Sequence, residues 1–229
     1  LGGKSPQLFF EDANLENALP FLVNAGIQNG GQTCSASSRI LVHRSRYDEV
    51  IDRMSQKYQE LIVRPAIDDG ALGPLISERQ KLIVEDFISK GQNLNLVAQG
   101  KIDDNVPENG HYVAPHLFAD VSDDHILAKD EIFGPVQVIM PFDTEEEAIN
   151  IANGTDYGLV ASIWTNDGAR QMRLAKKLKS GQVFINNYGA GGGVELPFGG
   201  RGFSGHGREK GFEALFGFST LKTVASYHQ

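Results

Sequence analysis

The chain has 229 residues, 29 acidic against 21 basic, and a net charge of −8, so neither a nucleic-acid binder nor an anionic-membrane binder, which would need a basic face, is expected. Its one cysteine, Cys34, excludes an internal disulfide and two-cysteine metal motifs, and points to a reducing, cytoplasmic setting. No window approaches 18 consecutive apolar residues, so no membrane span is expected, while the length suffices for one large domain with a substantial core.

The start, "LGGKSP", lacks the basic segment and apolar run of a secretory signal, and the chain is read as part of something longer. Residues 11–25 predict a helix, with Leu15, Ala18, Leu19, Leu22 and Val23 at helical spacing. The polar "QNGGQT" ends it, and "RILVH" at 39–43 reads as a short strand. Residues 46–62 predict an amphipathic helix with Val50, Ile51, Met54, Tyr58, Leu61 and Ile62 on one stripe. A further helix is expected over 75–90, with Leu82, Ile83, Phe87 and Ile88 as its apolar face, followed by the strand "LNLVAQG". "DDNVPENGHY" is turn-rich and reads as a surface loop.

A regular rhythm follows. "PVQVIMPF" at 135–142 is a strand, and "DTEEEAINIAN" is a helix opened by a capping box from Thr144 to Glu147. "GLVASIWT" is a strand, "NDGARQMRLAKKLKS" a helix and "GQVFIN" a strand. Short joints between alternating strands and helices predict an α/β fold, a twisted and mainly parallel sheet with helices on both faces. The glycines, 26 in all, gather at 26–31 and 189–217. The second cluster has little apolar periodicity, and a loop that long in a compact domain reads as functional. The final "STLKTVASYH" has the composition of an extended strand.

Cys34 sits in "NGGQTCSASSR", framed by glycines and hydroxyls. A thiol becomes a nucleophile as thiolate, favoured where backbone N–H groups converge, as at a helix start. Gly30 and Gly31 would let the chain bend sharply and bring a carbonyl substrate close, with the Cys34 N–H aimed at a developing oxyanion. The competing reading is a small buried residue without chemistry. The six histidines lack metal spacing, and none stands near Cys34 in sequence. "GRGFSG" at 200–205 spells a dinucleotide fingerprint, but follows no strand directly and has Thr220 where an acidic residue should stand.

"LGGKSP", "NGGQTCSASSR", "DEIFGPV", "GLVASIWT", "VFINN" and "PFGGRGFSGHGRE" together resemble the aldehyde dehydrogenase superfamily, in order and over essentially the whole chain. The resemblance implies a catalytic domain over 1–216 and a C-terminal oligomerisation strand over 217–229. It implies Cys34 as nucleophile, its N–H as half of an oxyanion hole, and NAD or NADP as cofactor. Glu131 would hold the nicotinamide ribose hydroxyls, Phe133 would lie beside the nicotinamide, and Gln80 would make a further ribose contact. Gln32, Thr33, Ser35 and Phe198 would border the aldehyde, and the small residues 189–193 would either leave room in its tunnel or form a simple flexible turn. Expected partners are a small aldehyde, a second copy in a dimer or tetramer, and an N-terminal cofactor-binding domain outside this chain. The family's general base, a glutamate, immediately precedes the residue matching Leu1, and its oxyanion asparagine and dinucleotide fold are also missing here; Glu131 and Phe133 alone would not hold a dinucleotide, so the chain alone is expected not to oxidise aldehydes. A thioester-releasing relative that uses coenzyme A, a free-standing cysteine hydrolase and a non-catalytic folded scaffold remain alternatives.

Overall fold

Strand β1 (Pro6–Phe9) sends Leu8 to one side of a sheet and Phe9 to the other, and both are fully buried. The same alternation in β2 (Arg39–His43) sets Leu41 against Ile40 and Val42, so each strand feeds two separate cores. The structure, a computed structural model, describes residues 2–189 and 193–228; the middle of the small-residue run expected at 189–193 lies outside these.

The two layers on the sheet follow from those faces. Helices α1 (Leu15–Ile27) and α2 (Tyr47–Glu60) cover one face, burying Leu22, Val50, Met54 and Tyr58 against Phe9, Ile40 and Ile139. Helices α3 (Glu78–Lys90), α4 (Ile126–Lys129), α5 (Glu145–Asn153) and α6 (Gly168–Lys177) cover the other, through Val84, Leu127, Ala148 and Leu174. The remaining strands of the main sheet are β4 (Asn95–Gln99), β6 (His116–Ala119), β7 (Val136–Phe142), β8 (Val160–Trp164) and β9 (Gln182–Ile185). Apart from this sheet, β3 (Ile62–Val63) pairs with β5 (Lys101–Ile102) in a small parallel ladder. The seven-stranded order is β4-β6-β7-β2-β1-β8-β9, parallel throughout except for β4 against β6. The α/β expectation with helices on both faces therefore holds.

Local differences have local causes. Helix α1 runs from Leu15 because Asn14 caps it, accepting from Asn17 N–H at 3.0 Å. Helix α3 starts at Glu78 rather than 75, capped by Ser77. Its buried phase is Val84, Phe87 and Ile88; Leu82 and Ile83, expected to be apolar contacts, face outwards instead. Thr144 caps α5 as expected, but Glu147 returns its carboxylate to the N–H of Asp143, one residue before the cap. Strands β1 and β6 were not anticipated. Each is four residues long and buried on both faces, so neither alternates in polarity. After the short helix α7 (Glu213–Gly217), residues 219–228 are exposed and form no ladder with the other described residues.

Candidate active site

The parallel strands have two edges, and chemistry collects at their amino ends. The segments entering β1, β2, β7 and β8 carry "GGKS", "TCSASS", "EIFGP" and "TDYGL". Gly3 N–H donates to Glu131 Oε1 at 2.9 Å. A Cβ on Gly3 would overlap the Cys34 carbonyl oxygen, and one on Gly31, whose φ is 73°, would overlap the Gly134 carbonyl. Ser204 Oγ donates to the Gly2 carbonyl at 2.6 Å and accepts from Gly158 N–H at 3.1 Å, which stitches the C-terminal glycine loop to the same point. Motifs more than a hundred residues apart in sequence thus share one neighbourhood.

Cys34 lies in a tight turn, closed by Ala36 N–H donating to the Thr33 carbonyl at 3.0 Å. No helix starts here, because Ser37 N–H donates to the Ala25 carbonyl at 2.9 Å and draws the chain directly into β2. The hydroxyls around the thiol hold this turn. Thr33 Oγ1 and Ser35 Oγ lie 2.9 Å apart, and Ser35 N–H donates to Thr33 Oγ1 at 3.3 Å. The Tyr188 hydroxyl donates to the Ser35 carbonyl at 2.5 Å, and burial raises that phenol far above its ordinary pKa, keeping it a donor. Gln32 accepts from Ile76 N–H at 2.9 Å and donates to the Asn29 carbonyl at 3.1 Å, tying the turn to the segment before α3.

The half-buried Cys34 packs beside Leu159, Tyr188 and Phe198. Its own N–H donates to no acceptor among the described residues. It opens onto a cavity of about 310 Å³ whose wall includes Gly2, Leu159, Phe198, Ser204, Arg208 and Phe218. Of the four residues expected to border the aldehyde, Phe198 shares this wall with Cys34, whereas Gln32, Thr33 and Ser35 flank the thiol within its turn. His206 also borders the cavity, but among the described residues no hydrogen bond joins it to Cys34.

Glu131, the acceptor of the Gly3 N–H, leads into Phe133, and Gln80 meets the same segment. Burial pushes the Glu131 carboxyl up, countered by the Gly3 N–H and the charge of Lys4. Oε2 receives no hydrogen bond among the described residues. Phe133 has φ 55°, a left-handed conformation unfavourable to an aromatic residue, and its ring is half-exposed. Gln80 holds that conformation: its Nε2 donates to the carbonyls of Ile132 at 3.1 Å and Phe133 at 3.0 Å. A carboxylate with one oxygen uncommitted among the described residues, next to a half-exposed aromatic ring, suits a dinucleotide's ribose hydroxyls and flat base. These residues fit a nicotinamide cofactor. "GRGFSG" forms a single helical turn at 202–204 and opens no helix that could receive a pyrophosphate.

Residue-by-residue reading overlooked four contributors. Tyr188 and Ser204 act through hydrogen bonds whose partners lie 153 and 202 residues away. Arg39 is buried and donates to the carbonyls of Lys4, Ile151 and Ala152 at 2.8–2.9 Å, fastening β1 and the end of α5 to the strand that follows Cys34. Lys4 is buried beside it. The only advance signal was a lysine and an arginine inside otherwise small or apolar segments.

The comparisons with known proteins agree with this geometry. The sequence profile of the Aldehyde dehydrogenase family matches residues 1–224. A betaine aldehyde dehydrogenase of Rhizobium johnstonii is 39% identical over 227 residues, covering 98% of this chain and 46% of its own. A Burkholderia cenocepacia structure assigned to the aldehyde dehydrogenases superposes with a TM-score of 0.96 at 57% identity, covering 98% of this chain and 48% of that one. A Mycobacterium tuberculosis aldehyde dehydrogenase complexed with NAD+ gives 0.89 at 42% identity, over 95% of this chain and 45% of that one. The chain therefore spans about half the length of the relatives it matches. It belongs to the aldehyde dehydrogenase family.

Proposed function

We propose that the protein carrying this chain oxidises a small aldehyde to its carboxylic acid with NAD or NADP, in the cytoplasm, and that Cys34 is the nucleophile. The observation that carries the reading is the meeting of Cys34, with its uncommitted N–H, and the Glu131–Phe133 segment on either side of Gly3. The thiolate sulfur adds to the aldehyde carbon, and the carbonyl oxygen becomes an oxyanion that the Cys34 N–H stabilises. The bound cofactor supplies the acceptor for the hydride that leaves this carbon. Cys34 is left as an acyl thioester, and water cleaves the carbon–sulfur bond, releasing the acid and restoring the thiol. Phe198 and Leu159 give the aldehyde an apolar wall.

Glu131 and Phe133 would hold the nicotinamide riboside portion, with Gln80 maintaining Phe133. The rest of the cofactor surface is proposed to come from a separate dinucleotide-binding domain, so this chain by itself should produce no steady NADH. In the complete protein, Cys34→Ala is expected to lower aldehyde oxidation by about 10⁴-fold or more while far-UV circular dichroism stays unchanged. Retained turnover in a folded Cys34→Ala protein would remove Cys34 from the mechanism.

We also propose that residues 1–216 form the catalytic domain and 217–229 a segment that joins a second copy in a dimer or tetramer. Phe216, Phe218, Leu221, Val224 and Tyr227 are all largely exposed, which suits burial against a partner. Light scattering should show a smaller assembly when the chain is cut after Phe218. The same mass before and after the cut would reject the exchange of this segment.

A further inference from the structure

Lys4 is only 2% exposed, and its Nζ has no hydrogen-bond partner among the described residues. An amine buried without a partner is costly, and an apolar side chain of similar volume would fill the space more cheaply. Its neighbours suggest why an amine stands there. Asp130 and Glu131, entering β7, both act on it with opposite charge. From β2, the Arg39 guanidinium acts against it while fixing its carbonyl through Nε at 2.9 Å. Tyr157, entering β8, faces the same two carboxylates. Gly3, the preceding residue, already donates its N–H to Glu131 Oε1. Consecutive residues thus set a backbone donor on one half-buried carboxylate and, close by but not in ion-pair contact with it, a buried amine.

We infer that Lys4 is a positioning residue for Glu131, its buried amine keeping that carboxylate ionised and able to accept the ribose hydroxyls of a nicotinamide nucleotide. The inference rests on the proposed role of Glu131 and extends it. A protonated carboxyl cannot accept two hydroxyls as a carboxylate does, and burial favours the protonated form. Lys4 opposes this where opposition matters. Burial brings its amine down from 10.5 to about 7, so it is cationic on the acid side of neutrality, where Glu131 would otherwise take up a proton. Above that pH the cation is lost, and its support of the carboxylate with it.

Carboxyl ¹³C NMR of glutamate-labelled protein tests the coupling directly, with Glu131→Gln assigning the resonance. In Lys4→Met the Glu131 titration should move to higher pH, and in Lys4→Arg it should stay near that of the parent. NADH binding to the complete protein, followed by fluorescence, should weaken about fivefold or more in Lys4→Met at pH 6 and much less at pH 8.5. A purely structural lysine would lower affinity equally at both. An unmoved Glu131 titration in a folded Lys4→Met protein would overturn the inference. A moved titration with unchanged NADH affinity would leave the Lys4–Glu131 coupling standing and overturn the cofactor role of Glu131.

Discussion

Replacing Gly3 by alanine is expected to cost about 3 kcal/mol or more in stability and to disable Cys34 at the same time. The added methyl would overlap the Cys34 carbonyl oxygen and stand 3.3 Å from its carbon. The obstructing atoms are backbone, so no side chain can swing aside. Strand β1 cannot retreat either. It is paired on one side to β2, with Pro6 opposite Arg39, and on the other to β8, with Gln7 opposite Ser162. The strain must fall on the turn that presents the thiol and on the Gly3–Glu131 hydrogen bond. Urea denaturation and the rate of iodoacetamide labelling at Cys34 would report both effects. Gly73→Ala is the control, since a Cβ there meets nothing within 4 Å, and it should shift stability by less than about 0.5 kcal/mol. A Gly3→Ala protein with the parent's denaturation midpoint and labelling rate would refute the close-approach argument.

The glycines around Cys34 were legible in sequence, but only half of their meaning was. Gly30 and Gly31 adopt left-handed conformations, as a sharp bend requires. Gly31 also presses on the Gly134 carbonyl, and the glycine that makes room for Cys34 itself is Gly3, thirty-one residues earlier. Periodicity speaks of near neighbours, so it found α1, α2, α5, α6 and the alternating strands, and it could not show which loops would converge. It also gave no hint of which sheet edge would carry the site. Parallel α/β sheets commonly bind ligands at the carboxyl ends of their strands. Here the crevice beyond β1 and β8 is occupied by the chain's own side chains. Asp12 accepts from Thr165 Oγ1 at 2.8 Å and from the N–H groups of Asn166 and Asp167 at 2.8 and 3.0 Å. Arg170 bridges Asp12 and Glu11 while lying over the Phe10 ring. That part of the carboxyl end is thus filled, and the short loops at the amino ends hold the thiol and the carboxylate. The resemblance to a family supplied the residue roles; burial and hydrogen bonds supply a physical reason for several of them.

Lys4→Met should make the protein more stable at pH 6, by an amount on the order of 2–4 kcal/mol, and the gain should shrink as pH rises towards 10. The sign follows from where the amine holds its proton. In the unfolded chain Lys4 titrates near 10.5, and in the fold burial lowers it to about 7, with Arg39 pushing the same way and Asp130 and Glu131 pulling it back. Between those values the unfolded chain binds a proton that the folded chain does not, so stability rises with pH across this window. Below about pH 7 both states are protonated and the whole penalty of burying the cation is felt. Methionine, similar in length and apolar, removes that penalty without leaving a large cavity. Urea denaturation of parent and variant from pH 6 to pH 10 measures the difference, and this range avoids the acid unfolding that other carboxylates cause. A Lys4→Met protein less stable than the parent at pH 6 would mean that the amine is satisfied in the fold and contributes to it. The expected result instead sets stability against function at one residue: the substitution that relieves the buried charge also releases Glu131 to take up a proton, so the variant should fold more firmly and bind nucleotide less well in acid.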